Sequence, residues 1–209
     1  MSGQRDAVKT KETIISSAMT LFAKDGFDGV SVDHIAHEAN INKAMIYYYF
    51  KNKAKLYETV IEKLLQDIHD SILQESKKCK SSKEELKSFI TTFAKFAKNN
   101  PYLSSLMLAE LSSGGKNLPE DMFAGLKRIF SLLEKILKRG EEEGSFKDIM
   151  PIVIHFMIVG TINLFITTSD LRKRVEGEFD GNVCADSDVE DVAIYLYKKV
   201  LKMLQGECK

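Results

Sequence analysis

The 209-residue sequence is poor in the residues that interrupt helices, with only 3 prolines and 12 glycines. Because proline and glycine are the strongest local breaks in secondary structure, their scarcity predicts long uninterrupted segments. No segment alternates apolar and polar residues between turns of the hairpin type, so we expect no β-sheet. The sequence therefore predicts an all-α protein.

Cysteine is also scarce. Cys79, Cys184 and Cys208 are odd in number and far apart, and none belongs to a C-x-x-C pair. This pattern argues against a disulfide framework or a zinc site. The polar N-terminus lacks the apolar core of a secretion signal, and we expect a cytoplasmic protein.

The chain has no net charge, because 30 basic side chains balance 30 acidic ones. A neutral protein has no overall attraction to nucleic acid or to an anionic membrane, so a polyanionic partner must bind a local patch. Hydrophobic residues make up 44% of the sequence, which is enough for a sizeable core.

One hydrophobic run, residues 149–166, approaches the length of a membrane span. Its sequence, IMPIVIHFMIVGTINLFI, nevertheless contains Pro151, His155, Thr161 and Asn163. Polar residues are costly inside a bilayer. We therefore expect no membrane partner and interpret the run as a helix buried in a core or a subunit interface.

Residues 10–50 predict three helices joined by tight connections. The first helix is expected to end at Asp25-Gly26, where glycine favours a left-handed C-cap. Ser31 is the expected N-cap of a short second helix and Asn42 that of the third. Asn40 suits the positive φ of the turn between them. This layout is typical of a helix-turn-helix.

Apolar periodicity predicts six further helices, about nine in all. The fourth, residues 52–77, has Asn52 as its expected N-cap and is long enough to link two domains. Ser82 with Glu85, and Ser187 with Glu190, have the form of capping boxes. The other five helices are expected near residues 83–98, 102–112, 119–140, 149–169 and 187–205.

A cluster of lysines and tyrosines surrounds the third helix, in a stretch from Asn40 to Tyr57 that contains no Asp or Glu. The second helix of a helix-turn-helix lies in the DNA major groove, and lysine and tyrosine side chains suit phosphate groups. A solvated basic surface is the alternative, but such a surface has little use for exposed rings. The cluster consists of Lys43, Tyr47, Tyr48, Lys51, Lys53 and Lys55.

The run from Gly26 to Leu56, GFDGVSVDHIAHEANINKAMIYYYFKNKAKL, resembles the N-terminal domain of the tetracycline-repressor (TetR) family of bacterial transcriptional regulators. The resemblance implies a helix-turn-helix DNA-binding domain over residues 1–51. It implies a helical ligand-binding and dimerisation domain over residues 52–209, with helix 52–77 linking the two. A homodimer that represses at a palindromic operator, and that a small, largely apolar molecule releases, is the implied function.

The resemblance also assigns the DNA contacts. It implies phosphate contacts from Ser31, Tyr47 and Lys53. It implies base or groove contacts from Lys43, Ala44, Tyr48 and Tyr49. Met45 stands where the family often has a smaller or polar residue, which suggests an apolar contact such as one with a thymine methyl group.

The C-terminal helices carry many apolar residues that pattern alone assigns to a core, whereas the resemblance implies that some line a ligand pocket. The apolar candidates are Phe89, Phe93, Phe96, Met107, Met122, Phe123, Phe130 and Phe156. The polar candidates, which interrupt apolar helices, are Glu110, His155, Asn163 and Thr167. A hydrogen-bonded core or interface histidine is an equally good interpretation of His155.

The last two long helices, residues 149–169 and 187–205, are implied to form a four-helix bundle between subunits. Gly160 would allow close helix approach, and an apolar stripe on the last helix would face the partner. Two recognition helices in successive major grooves also require a dimer, because the grooves lie about 34–36 Å apart. The stripe consists of Val192, Leu196, Val200 and Met203.

An enzyme with Glu110 and His155 as an acid/base pair is the runner-up, and a helical interaction module is third. The sequence contains neither a nucleophile elbow nor a phosphate-cradling glycine loop. His34 and His37, with Glu38 beside them, have no further ligand close in sequence. We therefore expect no catalytic residue, metal or cofactor.

Overall fold

The computed structural model describes residues 2–112, 114, 120–147, 149–175 and 188–206. Every regular element within these ranges is helical, which confirms the predicted all-α class. A π-helical turn spans Phe156–Gly160, between a helix that ends at His155 and one that begins at Thr161. The α-helices are α1 (Ser2–Gly29), α2 (Val32–Glu38), α3 (Lys43–Phe50), α4 (Lys53–Ser76), α5 (Ser82–Asn99), α6 (Pro101–Ser112), α7 (Glu120–Glu142), α8 (Pro151–His155), α9 (Thr161–Thr167), α10 (Ser169–Val175) and α11 (Val189–Leu204).

Local side-chain caps define the first helix boundaries, as the sequence predicts. Ser31, Asn42 and Asn52 each accept a hydrogen bond from a backbone N–H in the first turn of α2, α3 and α4, at 3.1, 2.8 and 2.8 Å. Asn40, with φ of 51°, turns the chain between α2 and α3. Gly26, with φ of 71°, interrupts α1 where the sequence predicts its end. The predicted helix-turn-helix geometry is therefore present.

The long helix α4 connects the N-terminal helices to the rest of the fold. Its buried stripe runs from Leu56 to Ile72, and it packs against α1, α3, α5 and α7. At the crossing with α7, a Cβ atom on Gly125 would lie 2.8 Å from Leu65 Cδ1. Glycine therefore allows the two helix backbones to approach closely. α4 therefore connects the two ends of the molecule, as does α6, which also contacts α1.

Two predicted capping boxes are wrong by one residue. Ser81, not Ser82, caps α5 by accepting a hydrogen bond at 3.3 Å from a first-turn N–H. Ser82 is buried and donates instead to the Glu143 carboxylate at 2.6 Å, which fastens the start of α5 to the end of α7. Asp188 caps α11. Ser187 lies outside the described residues.

The hydrophobic run near residues 149–169 is broken rather than a single helix. It begins at Pro151, passes through the π turn, and bends by 67° before α10. These breaks account for eleven α-helices where about nine are predicted. Among the residues that the structure describes, no single helix meets the length and hydrophobicity of a membrane span, although α8–α9 and α10 together do.

The stripe on α11 that the sequence assigns to a second subunit faces α5 of the same chain. Leu196 and Val200 are buried within the single chain, at 8% and 0% exposure, and Val192 and Met203 are half-buried. The reason is that α11 packs along α5. Leu196 and Val200 are therefore not available for contact with a partner subunit.

Candidate DNA interface and ligand cavity

The outer face of α3 is open to solvent. Tyr48 is 78% exposed and Tyr47 45%, and Ala44 on the same side is also exposed. Ile46 and Phe50, on the inner side, are buried against the neighbouring helices. The amphipathic pattern of α3 therefore leaves Tyr47 and Tyr48 accessible to a partner.

Lys43 is held at the edge of this face by an ion pair. Its Nζ atom donates to Asp33 Oδ2 at 2.7 Å, and this hydrogen bond raises the pKa of Lys43. The ammonium group also lies 5.9 Å from the centroid of the Tyr47 ring. Ser31, at the start of α2, is exposed. Lys43 thus stays charged, with Asp33 offsetting part of that charge.

Met45 and Tyr49 are half-buried and offer less surface than the exposed tyrosines. The Tyr49 ring packs edge-on against Tyr48, with 5.1 Å between ring centroids. Tyr49 therefore packs against one side of the otherwise exposed Tyr48 ring.

Lys53 has a structural role that the sequence does not reveal. Its Nζ atom donates to the carbonyl oxygens of Phe27 at 2.9 Å and Val30 at 3.1 Å, and it lies 4.0 Å from the centroid of the Phe27 ring. Carbonyl groups at a helix end need such donors. Two of the three ammonium protons of Lys53 are therefore used inside the protein.

A cavity of about 380 Å³ lies among α4, α5, α6, α7 and the α8–α9 segment. Its wall is mainly aromatic and aliphatic, as is usual for small-molecule sites. The predicted pocket residues that lie in the wall are Phe93, Phe96, Met107, Phe123, Phe130, His155, Phe156 and Asn163.

The remaining predicted pocket residues are placed elsewhere. Phe89 and Met122 are buried in the core and do not line the cavity; Phe89 stacks on Phe93 from one helical turn away. The Thr167 hydroxyl donates to the backbone carbonyl of Asn163 at 2.9 Å, so it satisfies the helix rather than the cavity. The side chain of Glu110 lies outside the described part of the structure.

Some wall residues are missing from the sequence-based set. Leu65 and Ile68 come from the apolar stripe of α4, Ser104 comes from α6, and Gly160, expected at a subunit interface, also lines the cavity. Periodicity identifies the α4 stripe as buried, but not which helices it faces. The cavity wall therefore includes the helix that also supports the N-terminal domain.

The π turn explains how one helix supplies two polar residues to the same wall. Each α-helical residue turns the chain by about 100°, so eight residues would leave Asn163 about 80° from His155. A π turn contains one additional residue per turn, so the eight residues rotate the chain by about as much as seven α-helical residues would. His155 and Asn163 are then about 20° apart. His155 and Asn163 accordingly both line the cavity.

The two polar residues differ in their partners. Asn163 is buried, and its Oδ1 atom accepts a hydrogen bond from Ser104 Oγ at 2.9 Å. The His155 ring packs edge-on against Phe130 and Phe156, with centroid distances of 5.3 and 5.9 Å. Burial lowers the pKa of His155, which favours the neutral imidazole. The cavity thus combines an apolar wall with an uncharged ring.

An aromatic cluster connects this region to the N-terminal helices. Tyr102, on α6, donates its hydroxyl proton to the Tyr57 hydroxyl at 3.1 Å. The Tyr57 ring packs edge-on against Phe22 and Phe27, with centroids 5.1 and 4.8 Å apart. Ser104 lies two residues after Tyr102 and lines the cavity. A short path of contacts therefore joins the cavity to α1.

Two family models match the sequence. The model described as bacterial regulatory proteins, tetR family, matches residues 14–60. The model described as tetracyclin repressor-like, C-terminal domain, matches residues 83–190. The matches cover the helix-turn-helix and most of the helices around the cavity.

Similar proteins agree with these matches. The chain is 26% identical over 178 residues to the HTH-type transcriptional repressor SCO4008 of Streptomyces coelicolor, covering 84% of this chain and 88% of that protein. It is 28% identical over 137 residues to IcaR of Staphylococcus aureus, an HTH-type negative transcriptional regulator of the biofilm operon icaADBC, covering 66% and 72%. The transcriptional regulator FadR from Bacillus subtilis, solved with stearoyl-CoA, has the same fold, with a TM-score of 0.73, 20% identity and coverage of 91% and 97%.

Proposed function

Since this chain belongs to the TetR family of bacterial transcriptional regulators, we propose that it is a homodimeric repressor of a palindromic operator, released by a small, largely apolar molecule. It is a regulator and not an enzyme. The observation that carries the proposal is that α4 both lines the apolar cavity and packs against the N-terminal helices.

The face of α3 supports major-groove binding. Tyr48 and Ala44 project from the helix where base edges would lie, and Met45 and Tyr49 lie beside them. Ser31 and Tyr47 supply hydroxyl groups for phosphates, as does the ammonium of Lys43. Lys53 is half-buried and positively charged, and we propose that its ammonium group also contacts a phosphate.

Exposed apolar side chains support dimerisation through the C-terminal helices. Met150, Leu164 and Leu171 on the α8–α10 segment are 55–60% exposed, and Ile194 and Tyr195 on α11 are 40% and 62% exposed. Large apolar surface of this kind is typical of protein contacts. We propose that these residues, rather than the inward stripe of α11, meet the second subunit.

The contacts of α4 and α6 support coupling between cavity and DNA. A molecule that displaces Leu65 or Ile68 moves the helix on which the N-terminal domain rests. Movement of α6 acts through the Tyr102–Tyr57 hydrogen bond. A ligand that lowers the affinity for DNA in this way must bind the DNA-free protein more tightly than the DNA-bound protein, and by the same factor. FadR, with the same fold, was solved with a ligand that has a long apolar chain, which supports an apolar effector here.

The experiment that tests the proposal is selection of binding sites from random duplex DNA, followed by a salt titration. We expect a palindrome with half-sites about one helical turn apart, and a log–log salt slope near −0.9 per phosphate contacted. Failure to enrich any sequence at low salt would contradict the proposal.

A further inference from the structure

The polar groups of the cavity wall are few, and most have partners. Ser104 and Asn163 are bonded to each other. Lys127 lies in the wall but is an exposed residue, so its ammonium group remains hydrated. His155 is the other titratable side chain of the described wall.

His155 differs because one of its ring nitrogens is unsatisfied. Its Nδ1 atom is inaccessible to solvent and has no hydrogen-bond partner among the described residues. The rings of Phe130 and Phe156 both pack edge-on against the imidazole. An unpaired buried polar atom is costly, so a ligand that lets Nδ1 form a hydrogen bond, through a small rotation of the imidazole toward the cavity that it lines, gains more than one that leaves Nδ1 unpaired.

The chemistry of a neutral imidazole limits the matching group. One ring nitrogen donates a hydrogen bond and the other accepts one, and the tautomer decides which. A hydroxyl group both donates and accepts, so it matches either tautomer. A carboxylate only accepts and would bring a charge into an apolar wall, and an ammonium group only donates.

We propose that the effector is an uncharged, largely aromatic molecule bearing a hydroxyl group, and that His155 binds that hydroxyl. The aromatic body matches the rings of Phe93, Phe96, Phe130 and Phe156 in the wall. This inference rests on the proposed function, which makes the cavity the effector site, and adds the chemical class of the ligand and the residue that selects it.

Three probes with the same ring system test the inference: 1-naphthol, naphthalene and 1-naphthoate. Their dissociation constants are measured by calorimetry on the full-length protein. We expect 1-naphthol to bind about tenfold more tightly than naphthalene, the gain expected of one satisfied buried hydrogen bond. We expect 1-naphthoate to bind more weakly than 1-naphthol, because its charge must be desolvated.

Variants of His155 test whether this residue causes the preference for 1-naphthol over naphthalene. His155→Phe keeps an aromatic ring and removes both nitrogens, so the preference for 1-naphthol over naphthalene should fall to about onefold. His155→Gln restores a donor and an acceptor and should recover part of the preference. His69→Phe is the matched control, because His69 lies on α4 outside the cavity wall, and it should keep the tenfold preference.

Three results would overturn the inference: no preference for 1-naphthol in the unmodified protein, a preference unchanged in His155→Phe, or tighter binding of 1-naphthoate. Where His155→Phe does not fold, His155→Gln takes its place, and a preference as large as that of the unmodified protein would then overturn the inference. Operator release is measured separately. His155-dependent binding without release contradicts the proposed function alone, whereas release that does not depend on His155 contradicts this inference alone.

Discussion

The proposed DNA-binding surface on α3 and the cavity are built in opposite ways. The surface consists mainly of one face of α3, eight residues long, whose position depends on caps within a few residues of each helix start. The cavity wall draws on helices from α4 to α9, and its residues are in contact only because those helices pack together. Changes on the surface should therefore alter binding alone, whereas changes around the cavity should alter stability as well.

The largest expected effect is on the scaffold of the cavity domain. A Cβ atom on Gly140 would lie 1.9 Å from the Phe146 ring, so Gly140→Ala must displace a buried aromatic side chain. We expect a loss of about 3 kcal/mol in the free energy of unfolding, measured by urea denaturation. Gly160→Ala is the control, because its added Cβ meets no atom within 4 Å beyond its chain neighbours and its own helix backbone, and it should not lower stability. Equal effects of the two substitutions would contradict the packing argument.

The next largest effect is on DNA affinity. Tyr48→Ala should weaken operator binding by about 10- to 100-fold and change base preference, as expected for loss of a base contact. Tyr47→Phe should weaken binding less, and uniformly across sequences, since only a phosphate contact is lost. Fluorescence anisotropy with the selected operator measures both. The melting temperatures should stay within error of the unmodified protein, and a large drop for Tyr48→Ala would show that the surface is not independent of the fold.

Lys53 is expected to affect both stability and DNA binding. Lys53→Met removes the donor to two carbonyl groups at the end of α1 and should cost about 1–2 kcal/mol of stability without DNA. Lys55→Met is the control, because Lys55 pairs with Glu58 at an exposed site and should change stability by less than about 0.5 kcal/mol. Reduced operator affinity of Lys53→Met with unchanged stability would instead indicate a phosphate contact only.

The smallest expected effect is on the stability of the protein at acid pH. The hydrogen bond from Ser82, together with Arg139, holds the pKa of Glu143 below its usual range. A carboxyl group with a lower pKa in the folded state stabilises the fold above its unfolded pKa, about 4.3 for glutamate, and this contribution is lost as the pH falls further. Ser82→Ala should therefore narrow the stability difference between pH 7 and pH 3. If urea titrations gave the same stability difference between pH 7 and pH 3 for Ser82→Ala as for the unmodified protein, Glu143 would make no such contribution.

The difference between local caps and long-range packing also explains which features the sequence predicts. Asn42 and Asn52 are recognisable as caps because a cap acts on the next two or three residues. The outward face of α3 follows from helical periodicity. One turn of α5, by contrast, separates Phe89 in the core from Phe93 in the cavity wall, and both are apolar. Only the positions of the neighbouring helices distinguish them.

Two features have no local signal at all. The π turn after His155 contains no proline, and its first four residues contain no glycine. The turn nevertheless determines that Asn163 faces the cavity. The carbonyl partners of Lys53 are 23 and 26 residues away in sequence. Contacts at that separation depend on tertiary packing, which residue patterns along one helix do not contain.

We propose that ligand binding in the cavity and DNA binding by α3 are coupled through α4 and α6. The most direct test measures the affinity of the protein for its selected operator with and without saturating 1-naphthol, or another cavity ligand found by thermal shift. We predict operator affinity at least about tenfold weaker with ligand, within the usual range of allosteric coupling. Equal affinity with a ligand proven to occupy the cavity would contradict the account.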